Sequence, residues 1–162
     1  MAKRRIYTPL NPEKYNGKQP IVLKSSWEEH FAQVYCDLNP DCVEWAYEPV
    51  RIPYKDPLSG RQTVYIPDFL LAMRSASGRI TTTLCEIKPL HETVLEHARN
   101  RKDAATIAKN EAKWEVARAW CGRRNNVQFL VLTEKQLFPG GEYIKPRKRP
   151  IRPYGQRRVK KK

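Results

Sequence analysis

Three strand-like segments in immediate succession, with a helical pattern on either side, limit what this chain can fold into. VEWAYEPVRIPY (residues 43–54) and QTVYIPDFLLAM (62–73) are joined by the turn KDPLSGR, and RITTTLCEIK (79–88) follows the turn SASGR. All three segments are rich in β-branched and aromatic residues, which suit a pleated, half-buried surface. Ahead of them, Ser25 and Ser26 offer an N-cap with Glu28 and Glu29 three residues on, the pattern of a capping box. Trp27, Phe31, Val34, Tyr35 and Leu38 then recur at helical spacing, which predicts a helix over 26–38 that Asn39-Pro40-Asp41 stops. Behind the strands, the apolar positions from Ala98 to Trp120 predict a second helix within 91–121, with Gly122 as its stop. VQFLVLT (127–133) is a continuous apolar run and is expected as a buried strand. The order αβββαβ describes one mixed α/β domain in which helices cover a sheet.

That domain occupies residues 25–138. Residues 1–24, rich in Pro, Asn and Gly, read as an extended arm rather than a packed element. Residues 139–162 form a basic tail. From Lys145 to Lys162 there are ten Lys/Arg, three prolines and no acid, too little apolar matter for a core. The net charge of +14 is therefore uneven, since the other 144 residues hold 21 bases against 17 acids. Such a tail is either solubilising or a grip on a polyanion. As a grip its cations are Lys145, Arg147, Lys148, Arg149, Arg152, Arg157, Arg158, Lys160, Lys161 and Lys162. If six of them neutralise DNA phosphates, log K falls against log salt with a slope of about −5. Binding then weakens roughly a thousandfold between about 50 and 200 mM salt. Deleting the tail must flatten that slope for the grip to hold.

Several classes are excluded. No stretch approaches the roughly 18 apolar residues of a membrane span, and MAKRRIYTPL lacks the apolar run of a signal peptide. Cysteines 36, 42, 85 and 121 contain no C-x-x-C pair and read as reduced, buried thiols. Neither they nor His91 and His97 have zinc spacing. His30 falls at the surface or beside a site on the first helix. Trp27, Trp45, Trp114 and Trp120 are expected in the core, with base stacking as the alternative.

The chemistry lies on two neighbouring strands. Pro67-Asp68 is on the second and Glu86-Ile87-Lys88 on the third. Side chains alternate along a strand, so Glu86 and Lys88 share a face. If SASGR closes a hairpin, Asp68 and Glu86 face each other, and two such carboxylates call for a cation between them. Mg²⁺ takes hard oxygen ligands and keeps several waters. Glu28 on the first helix is placed to reach the same ion, the Ile87 carbonyl to add a ligand, and Lys88 to orient a water or offset phosphate charge. The competing reading is a pair of strand-edge ion pairs. Glu111-Ala112-Lys113 repeats the E-x-K spacing on a helix, where the two ends lie about 200° apart, and reads as solvated surface. Arg99, Arg101 and Lys102 form a basic cluster that either holds DNA backbone or is a solvated helix face, with Lys109 and Lys113 weaker candidates.

Pro-Asp followed by E-x-K after an acidic helix resembles the PD-(D/E)xK nuclease superfamily, in the form found in transposon-end endonucleases. A tighter resemblance runs through KYNGKQPIVLKSSWEEHF, LNPDCVEWAYEPVRIPY, CEIKP and KWEVARAWCGRRNNVQFLVLTE. In order and spacing these are similar to the family of head completion nucleases of T-even-type tailed phages, over roughly residues 4–137. The resemblance implies a restriction-endonuclease-like αβββαβ core and Glu28, Asp68, Glu86 and Lys88 as the catalytic set. It further implies Mg²⁺ or Mn²⁺ as cofactor, double-stranded DNA as substrate and phage portal or neck proteins as partners. The protein would be made in the host cytoplasm and reside in the virion head–neck region. The alternative is a structural head or neck protein that binds DNA through its tail without cutting it.

Overall fold

A computed structural model describes residues 4–140. The basic run Lys145–Lys162 lies outside the described residues. The centre is a four-stranded mixed sheet in the order β3-β6-β7-β8, made of Cys42–Tyr47, Phe69–Arg74, Ile80–Ile87 and Val127–Leu132. The first three strands are antiparallel neighbours, and β8 runs parallel to β7. The helix α1 (Ser26–His30) precedes the sheet and continues as a π-helical stretch, Phe31–Asp37. The long helix α2 (Arg101–Gly122) makes the crossover from β7 to β8. A short helix, α3 (Glu134–Leu137), follows β8. This is the expected αβββαβ order with a mixed sheet, a restriction-endonuclease-like fold.

Alternation along β7 divides the core into two layers. Cys85 and Ile87 join Phe31, Trp45, Phe69 and Leu71 on the α1 side. Leu84 joins Trp114, Ala117 and Cys121 on the α2 side. Burying Phe69, Trp45 and Leu84 completely contributes on the order of 1.5–3 kcal/mol each. The buried positions of α2 are 103, 107, 110, 114, 117 and 121, a 3–4 spacing that makes one stripe. All four cysteines are free and buried. Trp45 and Trp114 are core residues, while Trp120 is partly exposed and carries the Arg124 guanidinium 3.5 Å from its ring centre.

Four details depart from the sequence reading. The first two strand segments each break in the middle. Glu48, at φ 47°, turns the chain after β3, and Ile66-Pro67 interrupts the second segment. The freed halves, β4 (Ile52–Lys55) and β5 (Gln62–Tyr65), pair as a separate two-stranded ribbon packed on α2. The α2 helix begins only at Arg101, because the Asn100 side chain caps it by accepting from the Asp103 N–H at 3.0 Å. Two single 3₁₀ turns occupy Leu90–Glu92 and Leu95–His97 instead. Strand β8 is not buried on both faces: it is the sheet's edge, covered by α2 on one side, with Gln128 and Leu130 exposed on the other.

The opening segment is the fourth departure. Arg5–Tyr7 (β1) and Ile21–Leu23 (β2) are extended, but they pair with each other, and Ile21 and Leu23 are fully buried. A buried carboxylate ties this segment down. Asp37 accepts from the Tyr7 hydroxyl (2.7 Å), the Leu10 N–H (2.7 Å) and the Asn11 N–H (2.8 Å). Burial works to raise the Asp37 pKa, but these bonds outweigh it and hold it below the usual carboxylate range. Asp37→Ala is expected to lower stability by about 3 kcal/mol, because two backbone donors lose their partner together. Urea unfolding checks this, and fast exchange at the Leu10 and Asn11 amides locates it. The stabilisation from Asp37 is present at neutral pH and lost only as pH falls below about 4.

Candidate active site

The strand register brings the two acids together. Phe69 pairs with Cys85, so one residue earlier on β6 and one later on β7 place Asp68 opposite Glu86. Asp68 sits where the β6 ladder ends, and its Oδ2 accepts from the Ile87 N–H at 2.8 Å in place of a strand carbonyl. Glu86 is buried beneath the ribbon, where Oε2 accepts from the Tyr65 hydroxyl at 2.9 Å and Oε1 lies 3.2 Å from Lys88 Nζ. The strand pattern continues past β7, with the Lys88 N–H bonded to the Leu132 carbonyl, which keeps Lys88 on the Glu86 face.

Glu28 enters from α1. Ser25 caps the helix by accepting from the Glu28 N–H at 3.1 Å. The Glu28 carboxylate accepts in turn from Ser25 Oγ (3.2 Å), the Lys24 N–H (2.8 Å) and the Tyr47 hydroxyl (2.7 Å). Three donors from a helix cap and β3 therefore fix an acid that is only 8% exposed. Lys24 is itself paired with Glu48.

These groups open into a cavity of about 350 Å³ lined by Glu28, Asp68, Glu86, Lys88, Lys24 and Lys113, with Tyr54 and Tyr65 as one wall. Burial pushes the Asp68 pKa well above the ordinary carboxylate value, and the Glu86 and Glu28 charges add to the rise. Burial disfavours the charged form of Lys88, but the Glu86 and Asp68 carboxylates outweigh it and leave its pKa raised. Lys113 is shifted the other way, by burial first and by Lys88 and Lys109 next. Burial also raises the pKa of Tyr65 and of Tyr47, each beside a carboxylate. Both phenols are therefore hydrogen-bond donors at any working pH.

Glu28, Asp68, Glu86, Ile87 and Lys88 are thus assembled around one cavity. The basic cluster is not part of it. Arg101 and Lys102 are exposed at the start of α2, and Arg99 is committed to Asp103 through its Nε at 2.9 Å. His30 is turned toward α3, with Nε2 3.2 Å from the Leu137 carbonyl oxygen. Lys113 corrects the reading of Glu111-Ala112-Lys113. Glu111 is exposed, but Lys113 lines the cavity with Nζ 5.9 Å from the centre of the Tyr54 ring and 5.8 Å from that of Tyr65. An angle of about 200° between the two residues turns one inward when the other faces solvent.

Tyr47 and Tyr65 are site residues that no sequence motif marks, and Lys113 stands in the sequence only as a weaker candidate for holding DNA backbone. Tyr65 is a positioning residue, because it acts by holding Glu86. Tyr65→Phe is expected to lower cleavage about tenfold, a loss of one charge-assisted hydrogen bond. Its melting temperature should stay within about 3 °C of wild type. Steady-state kinetics beside thermal denaturation checks both.

Among the described residues, no group of three or more His, Cys, Asp or Glu is arranged to enclose a metal ion unaided. The donor set nevertheless fits a hard divalent cation that keeps most of its waters. Every candidate donor is an oxygen, Asp68 Oδ1 accepts no hydrogen bond among the described residues, and the Glu86 and Glu28 charges repel that of Asp68. Asp68, Glu86 and the Ile87 carbonyl would hold such an ion, with Glu28 reaching it through water.

An acid at the end of one strand, E-x-K on the next and a glutamate from the preceding helix, on an αβββαβ core, define an endonuclease domain of the restriction-endonuclease-like PD-(D/E)xK superfamily. The family model described as TnsA-like endonuclease N terminal matches residues 39–134, more than half of the chain. The chain belongs to this family. The matched span contains Asp68, Glu86, Lys88 and Lys113, whereas Glu28 precedes it and is supplied by α1. No curated protein was found to match the chain.

Proposed function

We propose that this protein is a Mg²⁺-dependent endodeoxyribonuclease that hydrolyses phosphodiester bonds of double-stranded DNA, with Mn²⁺ able to replace Mg²⁺. The observation that carries the reading is the placement of Asp68 opposite Glu86, with Lys88 Nζ 3.2 Å from the latter and Glu28 in the same cavity. When bound, the cation polarises the phosphodiester and lowers the pKa of a water. The chain's own groups do the rest. Lys88 directs the attacking water and offsets charge on the phosphate. Tyr65 and the Ile87 N–H hold Glu86 and Asp68 in place, so neither carboxylate has to reorient as charge develops.

Within this reading the enzyme acts at or near the packaged DNA end during head completion of a tailed phage, in contact with portal or neck proteins of the virion. Support comes from the ordered resemblance of residues 4–137 to head completion nucleases. The Lys145–Lys162 tail serves as a separate grip on the DNA backbone.

The test is cleavage of linear and circular duplex DNA with Mg²⁺ or Mn²⁺ by wild type, Asp68→Ala and Lys88→Ala. Cutting by wild type alone is expected. Equal residual cutting by all three would end the catalytic reading, and tight binding without metal-dependent cutting would favour a structural neck protein. For the phage role, the chain is expected in purified virions at the head–neck junction, and virions that lack it would overturn that assignment.

A further inference from the structure

The cavity receives three lysines, and two of them are already neutralised. Lys24 is paired with Glu48, and Lys88 lies 3.2 Å from Glu86. Lys113 differs. Among the described residues it makes no hydrogen bond and no ion pair, although its side chain is partly buried. Its ammonium is held instead by the faces of Tyr54 and Tyr65, at 5.9 and 5.8 Å. One turn earlier on the same helix, Lys109 bonds to Asp56 on the ribbon at 3.1 Å. The two lysines share a helix face, yet only one has been given a carboxylate.

A partly desolvated ammonium without a bonded carboxylate is costly, and two aromatic faces replace only part of its lost hydration. They also leave its three N–H donors free to turn toward the cavity. We propose that Lys113, on its shelf of Tyr54 and Tyr65, forms a phosphate-binding subsite that seats a backbone phosphate of the DNA strand being cut. This rests on the nuclease reading and adds a contact made from α2, outside the Asp-Glu-Lys set. The ribbon is integral to it. Tyr54 and Tyr65 come from β4 and β5, and the Lys109–Asp56 ion pair fastens the ribbon to α2 beside them. Because Tyr65 also holds Glu86, one aromatic ring links the phosphate seat to the cutting centre.

The experiment measures affinity of the full chain for a short DNA duplex across salt concentrations, with Ca²⁺ in place of Mg²⁺. Wild type is compared with Lys113→Gln, Lys113→Arg and Arg118→Gln. The last removes one charge from the exposed side of the same helix and is the control. Lys113→Gln is expected to weaken binding and to reduce the salt slope by about 0.9, the signature of one lost phosphate contact. The gap to wild type then narrows about 3.5-fold between 50 and 200 mM salt. Lys113→Arg is expected to keep the slope, and Arg118→Gln to match wild type. The subsite is overturned if Lys113→Gln binds with wild-type affinity and slope, or if Arg118→Gln loses as much. A wild type that binds the duplex but cuts none with Mg²⁺ or Mn²⁺ overturns the nuclease reading instead and leaves this comparison standing.

Discussion

Asp68→Asn should lower DNA cleavage by on the order of 10³-fold and at the same time raise the melting temperature. Removing a charge that contributes about 4 kcal/mol at the transition state gives a rate loss of that size. The stability effect has the opposite sign because of what surrounds Asp68. Burial disfavours its charge, and Glu86 and Glu28 repel it. Asparagine keeps an acceptor for the Ile87 N–H, which the carboxylate holds at 2.8 Å, and removes the repulsion. The gain is about 1 kcal/mol, a typical stability–activity exchange, and corresponds to about 3 °C for a domain of this size. Thermal denaturation in chelator, beside a cleavage time course, measures both. A variant that cuts within twofold of wild type, or that melts lower, would remove Asp68 from the role given to it.

The pairing of Asp68 with Glu86 was readable because both lie on one hairpin, where alternation and a short turn set the facing positions. Glu28 was readable for a similar reason: Ser25 three residues ahead fixes where the helix starts and hence which side the acid leaves. What escaped were features decided by distant parts of the chain. The alternation Val43, Trp45, Tyr47 slips by one residue at Glu48-Pro49 to Val50, Ile52, Tyr54, which marks a break in the run but does not say that Glu48 adopts positive φ and sends Ile52–Lys55 to a different sheet. Asn, Pro and Gly near the N-terminus suggest a loose arm, whereas Asp37, far along the chain, supplies the acceptors that hold Leu10 and Asn11. The apolar run at β8 cannot show that α2 covers only one of its faces. Glu111-Ala112-Lys113 reads as solvated surface because on a helix its two ends diverge, which leaves Lys113 only a weaker candidate for holding DNA backbone. The same spacing on a helix places it in the cavity, once the ribbon is known to pack there.

Under the proposed function, charge in this protein is divided between two tasks. The folded body is near electrical balance, and two of its buried acids, Glu28 and Glu86, line the cavity with Asp68. Most of the excess lies in the Lys145–Lys162 run. Salt should therefore weaken DNA binding strongly while leaving the Lys88–Glu86 pair, which is mostly shielded from solvent, little affected.

Lys88→Met is expected to abolish cleavage as Asp68→Asn does, but to destabilise the fold. The Glu86 side chain is 4% exposed and that of Lys88 26%, so neither group is well hydrated. Without the ammonium, Glu86 remains buried opposite Asp68, and among the described residues only the Tyr65 hydroxyl still donates to it. Leaving one partner of a buried pair unopposed costs about 3 kcal/mol, which lowers the melting temperature by about 10 °C. The two carboxylates keep the Lys88 pKa above that of a free lysine despite burial. Its stabilisation is accordingly full at neutral pH and lost only as pH rises past about 10. The decisive comparison is the double variant Glu86→Gln/Lys88→Met. With the orphaned charge gone, most of the melting temperature should return, while cleavage stays absent because both reacting-site groups are missing. A Lys88→Met protein that melts like wild type would mean that water already neutralises Glu86, and the cavity would then be far wetter than its hydrogen bonds imply.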